Sequence, residues 1–218
     1  MITLLIIAIT SITSVMAFRD VDLFNKIIFY PPAVTRGQWY RLLTYGLLHA
    51  DWTHLLFNMF TLYIFGRSVE VIFKSALGPE IGALSYILLY VLALLVSILP
   101  TYNRHKENSY YRSLGASGAV SAIVFAYIIL RPMSFMGILF IPIMLPAFIF
   151  GIIFIAISMK LDKTQAGAIN HSAHITGGIF GIIITIISFY SFASINLVQS
   201  FIAQIQINSI SDLIHIGF

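Results

Sequence analysis

Residues 113–130 read SLGASGAVSAIVFAYIIL. The first half is made of small and hydroxyl-bearing side chains, the second of aliphatic and aromatic ones. A membrane strand would alternate polar and apolar residues, whereas this run is continuous and long enough to enter hydrocarbon as a helix. Ser117 stands at the point of entry, between Gly115 and Gly118. A hydroxyl in that position needs a packing partner or a task, because polar groups in hydrocarbon are costly.

The whole chain has the same character. Of 218 residues, 59% are hydrophobic and 9% charged, with a mean hydropathy of +0.95. Those figures exclude an ordinary soluble domain and specify an integral membrane protein. The length suits one bundle with short loops. There is no cysteine, which excludes disulfides, a thiol nucleophile and thiolate metal sites. A net charge of +4, scattered over loops, suits anionic lipid headgroups and not nucleic acid.

Six apolar segments follow from the length needed to cross hydrocarbon: about Ile2 to Phe18, His54 to Phe73, Ile81 to Leu99, Gly115 to Leu130, Ile138 to Met159 and His171 to Tyr190. The expected fold is an all-α membrane protein, a six-helix transmembrane bundle over 1–192. The first segment lacks a basic n-region and a small-x-small cleavage site, so it is read as a retained helix. The tail over 193–218 mixes aliphatic residues with Asn196, Gln199, Gln204, Gln206, Asn208 and Asp212. It is read as a C-terminal amphipathic interfacial helix.

Polar residues inside apolar runs carry the functional information. Four of the six histidines gather at two helix starts, His49 and His54 at the second segment and His171 and His174 at the sixth. His105 and His215 fall in a loop and the tail, where a surface role suffices. Segments two, four and six run in the same direction in an up-down bundle, so their N-terminal ends share one membrane face. His54 and Asn58, four residues apart, stack on one helix face, and both can donate to a common point.

The sixth segment opens NHSAHITGGIFG, placing His174, Gly177 and Gly181 near one stripe. Small residues at that spacing let backbones approach, and GASGAVSA offers the matching surface on the fourth. Contact there would bring the His174 imidazole to Ser117 Oγ, and an imidazole that takes the serine proton is the usual activation of a weak nucleophile. The Ser117 amide, at a helix start between glycines, supplies half of an oxyanion hole.

On these residues the chain resembles the rhomboid family of intramembrane serine proteases. Gly115-Ala116-Ser117-Gly118 matches the family's Gly-x-Ser-Gly motif, and Ala173-His174 with Gly177 and Gly181 matches Ala-His-x-x-Gly-x-x-x-Gly. His49, His54 and Asn58 match the pattern of the second span. Trp39 and Arg41 in QWYR resemble the first-loop signature, and Gly66 and Glu70 in GRSVE resemble the Gly-x-x-x-Glu closing the second span.

The resemblance implies a rhomboid-type bundle with a Ser117 and His174 dyad and no third carboxylate. His54, Asn58 and the Ser117 amide would hold the oxyanion, His49 would organise the site, and Arg41 would anchor the first loop at the membrane surface. In some rhomboids an aromatic four residues after the serine stacks on the catalytic imidazole. Ser121 occupies that place here, so the ring must be steadied otherwise, Phe125 being one candidate. Neither cofactor nor metal is implied.

Plainer readings exist for each choice. Ser117 can be a packing hydroxyl bonded to the carbonyl four residues back, and His54 with Asn58 an interhelical polar pair. His171 reads as an interfacial histidine and Trp39 as an interface anchor. Two other functions stay open: a catalytically inactive rhomboid-like protein that binds transmembrane helices, and a membrane metal hydrolase using His49, His54, His171 and His174. The second has no His-Glu-x-x-His and only Asp51 as a carboxylate close by.

A serine just below a helix start is reached by an unwound peptide. The expected partners are membrane lipids and single-span protein substrates with helix-weakening residues near the membrane face. The expected location is the plasma or inner membrane of the cell. Positive residues concentrate on the loops at the site's end, which by the positive-inside rule puts it in the cytosol. The resemblance implies an exterior site, and that is the expectation retained.

Overall fold

A computed structural model describes residues 1–137, 142–164 and 170–216. Helix α1 (Ile2–Ala17) leads into a first loop containing the short helices α2 (Val21–Ile27), α3 (Pro31–Thr35) and α4 (Arg41–Thr44). The second apolar segment is one helix, Trp52–Leu77, in which α5 (Trp52–Thr61) passes through a wide π turn at Leu62–Gly66 into α6 (Arg67–Leu77). Then come α7 (Pro79–His105), α8 (Ser117–Leu130), β1 (Phe135–Gly137), β2 (Ile143–Pro146), α9 (Ala147–Thr164), α10 (His171–Ala193), α11 (Leu197–Gln204) and β3 (His215–Ile216).

Among the described residues, three helices are long and apolar enough to cross a membrane: Trp52–Leu77, Pro79–His105 and His171–Ala193. Two shorter apolar helices, Ile2–Ala17 and Ser117–Leu130, stand with them. Their ends follow local chemistry. Asp51 caps α5 by accepting from the His54 amide at 2.8 Å. Pro79 sits in the first turn of α7, with Glu80 there and Arg104 and His105 in the last turn, matching the helix dipole. Asn170 caps α10 through Ala173, and Ser194 ends it in the left-handed conformation.

Helix α8 is the centre of the molecule. All its residues except Ser117, Val124 and Tyr127 are buried, as expected of a helix apolar all round. A Cβ on Gly177 would strike the Gly118 carbonyl, and one on Gly181 the Ala122 carbonyl, so α10 lies backbone to backbone on α8. On the other flank a Cβ on Gly118 would meet Ser97 of α7.

Two sequence expectations change here. The fifth segment, expected from Ile138, has its helix only from Ala147 to Thr164; residues 138–141 lie outside the described residues. Pro142 and Pro146 are the cause, because each lacks the amide proton that a helix interior requires. Antiparallel strands form instead, pairing Phe135 with Pro146 and Met136 with Leu145. The tail, expected as a single amphipathic helix, is helical over Leu197–Gln204 and then turns back. Its β3 adds to the hairpin, with Ile143 opposite Ile216, in the order β1-β2-β3.

Candidate active site

Approach to α8 is fixed by the first loop. Phe29 and Ser113 exchange two backbone hydrogen bonds, both 3.1 Å, and the Gly115 amide donates to the Tyr45 carbonyl at 3.0 Å. Gly115 has φ +113, a left-handed backbone that favours glycine. It also leaves room for His54: a Cβ there would come within 2.9 Å of His54 Cε1 and 3.1 Å of Nε2. This turn presents Ser117 as the first residue of α8, where backbone amides have no intrahelical acceptor.

Ser117 Oγ and His174 Nε2 are 2.8 Å apart. When Ser117 donates in this bond, Nε2 is the acceptor and the ring proton of neutral His174 resides on Nδ1. The imidazole is flanked by Phe154 of α9, 6.1 Å between centroids at 32°, and edge-on by His171 at 5.8 Å. Phe125, the candidate from sequence, packs instead against Phe154 at 5.8 Å and beneath Gly178. Ser121 is buried and lines the cavity below Ser117, where it leaves space.

His54 Nδ1 accepts from the Ala50 amide at 3.3 Å, which leaves the proton of the neutral ring on Nε2, the nitrogen facing Gly115. Asn58 gives one amide proton to the His54 carbonyl at 3.0 Å and keeps a second free beside the same cavity. His49 is 1% exposed and meets His54 edge-on at 4.9 Å. Ser14 donates to the Leu47 carbonyl at 2.7 Å, so the 2.9 Å contact with His49 Nδ1 is a bond the imidazole donates. Burial, reinforced by His54 and opposed by Asp51, pushes the His49 pKa from 6.5 down to about 3, so this ring is neutral.

Below the pair lies a cavity of about 580 Å³ in which Asn58, Ser117 and His174 form a polar corner and Phe57, Phe60, Val124 and Phe154 an apolar wall. Such a corner and wall suit a ligand that is polar at one end and apolar at the other.

The remaining predicted residues lie around this centre. Arg41 is buried and donates to Gln38 Oε1 at 2.6 Å and to the Asn25 and Ile28 carbonyls at 2.9 and 2.6 Å, gathering the first loop. Trp39 is 70% exposed and away from the pair. Glu70 accepts from the Ile2 and Thr3 amides, the Thr3 hydroxyl and Lys74. Gly66 allows Thr3 and Tyr86 to approach. His171, expected at the interface, is buried. His105 stacks on Tyr111 and His215 lies near Phe135. The four histidines form two edge-on pairs, and among the described residues no three His, Asp or Glu side chains converge as metal ligands.

Two contributors were absent from the sequence reading. Phe154 had no signal, since nothing fixed the rotation of its helix. Asn170 had one: an asparagine ahead of an apolar run is a capping residue. It exchanges hydrogen bonds with Thr101 of α7 at 3.1 and 2.9 Å, which sets the start of α10 and hence the height of His174.

These features define a helical membrane protein with a serine and histidine paired at the starts of two adjacent helices. The chain belongs to the rhomboid family: the Rhomboid domain matches residues 36–191. It is 30% identical to "Putative rhomboid protease YdcA" of Bacillus subtilis over 53% of this chain and 50% of that one. It is 34% identical to "Rhomboid-like protein 11, chloroplastic" of Arabidopsis thaliana over 67% and 51% of the two chains. It is 31% identical to "RHOMBOID-like protein 12, mitochondrial" of the same plant over 73% and 49%. The matches thus span about half the length of these relatives.

Proposed function

We propose that the protein is an intramembrane serine endopeptidase that cleaves single-span membrane proteins near the membrane face. The observation carrying this reading is the 2.8 Å contact of Ser117 Oγ with His174 Nε2 at the mouth of an apolar cavity. Six membrane segments, α1, Trp52–Leu77, α7, α8, α9 and α10, would form the bundle, with the tail at the interface and the protein in the plasma or inner membrane of a cell.

Ser117 Oγ attacks the scissile carbonyl while its proton passes to His174 Nε2. Negative charge then develops on the carbonyl oxygen, beside three donors: His54 Nε2–H, the free Asn58 amide proton and the Ser117 amide. His174 returns the proton to the leaving amine; water, deprotonated by the same nitrogen, then attacks the acyl-serine ester, and Ser117 Oγ leaves as it takes that proton back from His174. The balance needs only water. With no carboxylate found behind His174 among the described residues, ring orientation falls to Phe154 and His171, and His49 holds His54 in place. Substrates whose helices unwind easily, at glycine or proline near the face, reach Ser117 most readily.

Purified protein treated with a fluorophosphonate probe tests this. Wild type should label at Ser117 and cleave a Gly-containing or Pro-containing single-span substrate. Ser117→Ala and His174→Ala should each abolish cleavage, with the double variant no worse than either, because the two act as one unit. An inert helix-binding protein would capture the substrate without labelling, and full cleavage by Ser117→Ala would sink the assignment.

A further inference from the structure

The end of the molecule remote from Ser117 carries a polar feature that serine chemistry does not use. Arg131 directly follows α8, whose 14 residues rise about 20 Å from Ser117. It lines a groove of about 640 Å³ together with Arg67, Tyr63, Ser134, Ile64 and Val71. The groove therefore opens toward the opposite membrane face from the candidate active site.

Its polar groups point to one sign of ligand. Arg67 gives one N–H to Tyr63 OH at 2.9 Å and lies over that ring at 5.2 Å, which fixes the guanidinium and leaves its other donors free. For the Arg131 guanidinium no acceptor is found among the described residues, and Ser134 adds a hydroxyl. Among the described residues no carboxylate lines the groove. Glu70, one turn from Arg67, does not line the groove and is paired with Lys74 at 2.6 Å. That pairing neutralises the other cation of this helix, so the uncompensated charge sits at Arg67 and Arg131.

An arginine does not shed its proton, and two of them lining one groove attract an anion. The planar fork matches the oxygens of phosphate, and donors with no competing acceptor suit a group that accepts only. Ile64, Val71 and Ile72 line the same groove as an apolar wall, with Ile64 on the side of Arg67 nearer the middle of the span. We propose that Arg67 and Arg131 form a site for a phosphate group, filled by the headgroup of an anionic phospholipid whose acyl chain lies along that wall. The site is independent of the peptidase reading.

Delipidated full-length protein titrated with phosphatidylglycerol or phosphatidylcholine, and followed by native mass spectrometry, tests it. Wild type should retain phosphatidylglycerol in preference. Arg67→Gln and Arg131→Gln should each weaken retention roughly fivefold, as expected for one basic residue at a charged surface. Arg131→Lys, which keeps the charge and loses the fork, should fall between. Unchanged melting temperatures establish that the variants are folded. Added inorganic phosphate separates the sources: displacement of phosphatidylglycerol identifies a site that also takes free phosphate, and no displacement identifies the lipid. Equal retention of the two lipids, or a double arginine variant that retains phosphatidylglycerol like wild type, would overturn the proposal.

Discussion

At the scale of single residues, the donors around Ser117 separate from the nucleophile by substitution. His54→Ala and Asn58→Ala leave Ser117 Oγ facing His174 Nε2 but each removes one donor from the place where the oxyanion would form. Each should lower the turnover rate on the order of 10²-fold to 10³-fold and still permit slow fluorophosphonate labelling. Loss of labelling in both would instead assign them to holding Ser117 in place. That these two residues share one helix face was legible in sequence, because a spacing of four fixes it whatever the rest of the fold. Phe154 was not, since a ring on α9 reaches His174 only through the tertiary placement of a helix whose start the sequence misjudged.

At the scale of elements, the contact of α8 with α10 has almost no slack. The atom that a Cβ on Gly177 would strike is the Gly118 carbonyl oxygen, part of a helix backbone that cannot rotate away. Gly177→Ala should therefore push the helices apart, costing about 1–3 kcal/mol by overpacking. It should lower the melting temperature and cleavage together, whereas Ser117→Ala should lower cleavage alone. A Gly177→Ala protein with unaltered melting and activity would contradict this close approach. The small-residue stripes on both helices announced the contact in sequence. Helix starts were less legible: Ile138 to Met159 looks uniformly apolar, and only the backbone chemistry of Pro142 and Pro146 delays the helix to Ala147. Strand β3 was illegible for a related reason, because two residues pair as a strand only where a distant hairpin offers an edge.

Across the whole molecule, α1 is fastened at both ends by polar contacts. At its start Glu70 gathers donors from Ile2, Thr3 and Lys74, and Glu70→Ala would leave them without their carboxylate. A loss of roughly 1–3 kcal/mol is expected for leaving the buried Thr3 donors without an acceptor, seen as a lower melting temperature, and an unchanged one would refute the role. At the other end Ser14 meets His49, in the loop ahead of Trp52–Leu77. The folded protein holds His49 neutral, with a pKa lowered from 6.5 to about 3 chiefly by burial. The unfolded chain therefore binds the extra proton between those limits. Stability from the neutral ring is complete above about pH 6.5 and is lost as pH falls toward 3, at no more than about 1.4 kcal/mol per pH unit for one proton. Melting temperature should fall on acidification from pH 6.5 to 4. His49→Gln cannot take up that proton, so its melting temperature should start lower at neutral pH and fall less steeply. Parallel curves for the two proteins would show that the acid sensitivity arises elsewhere.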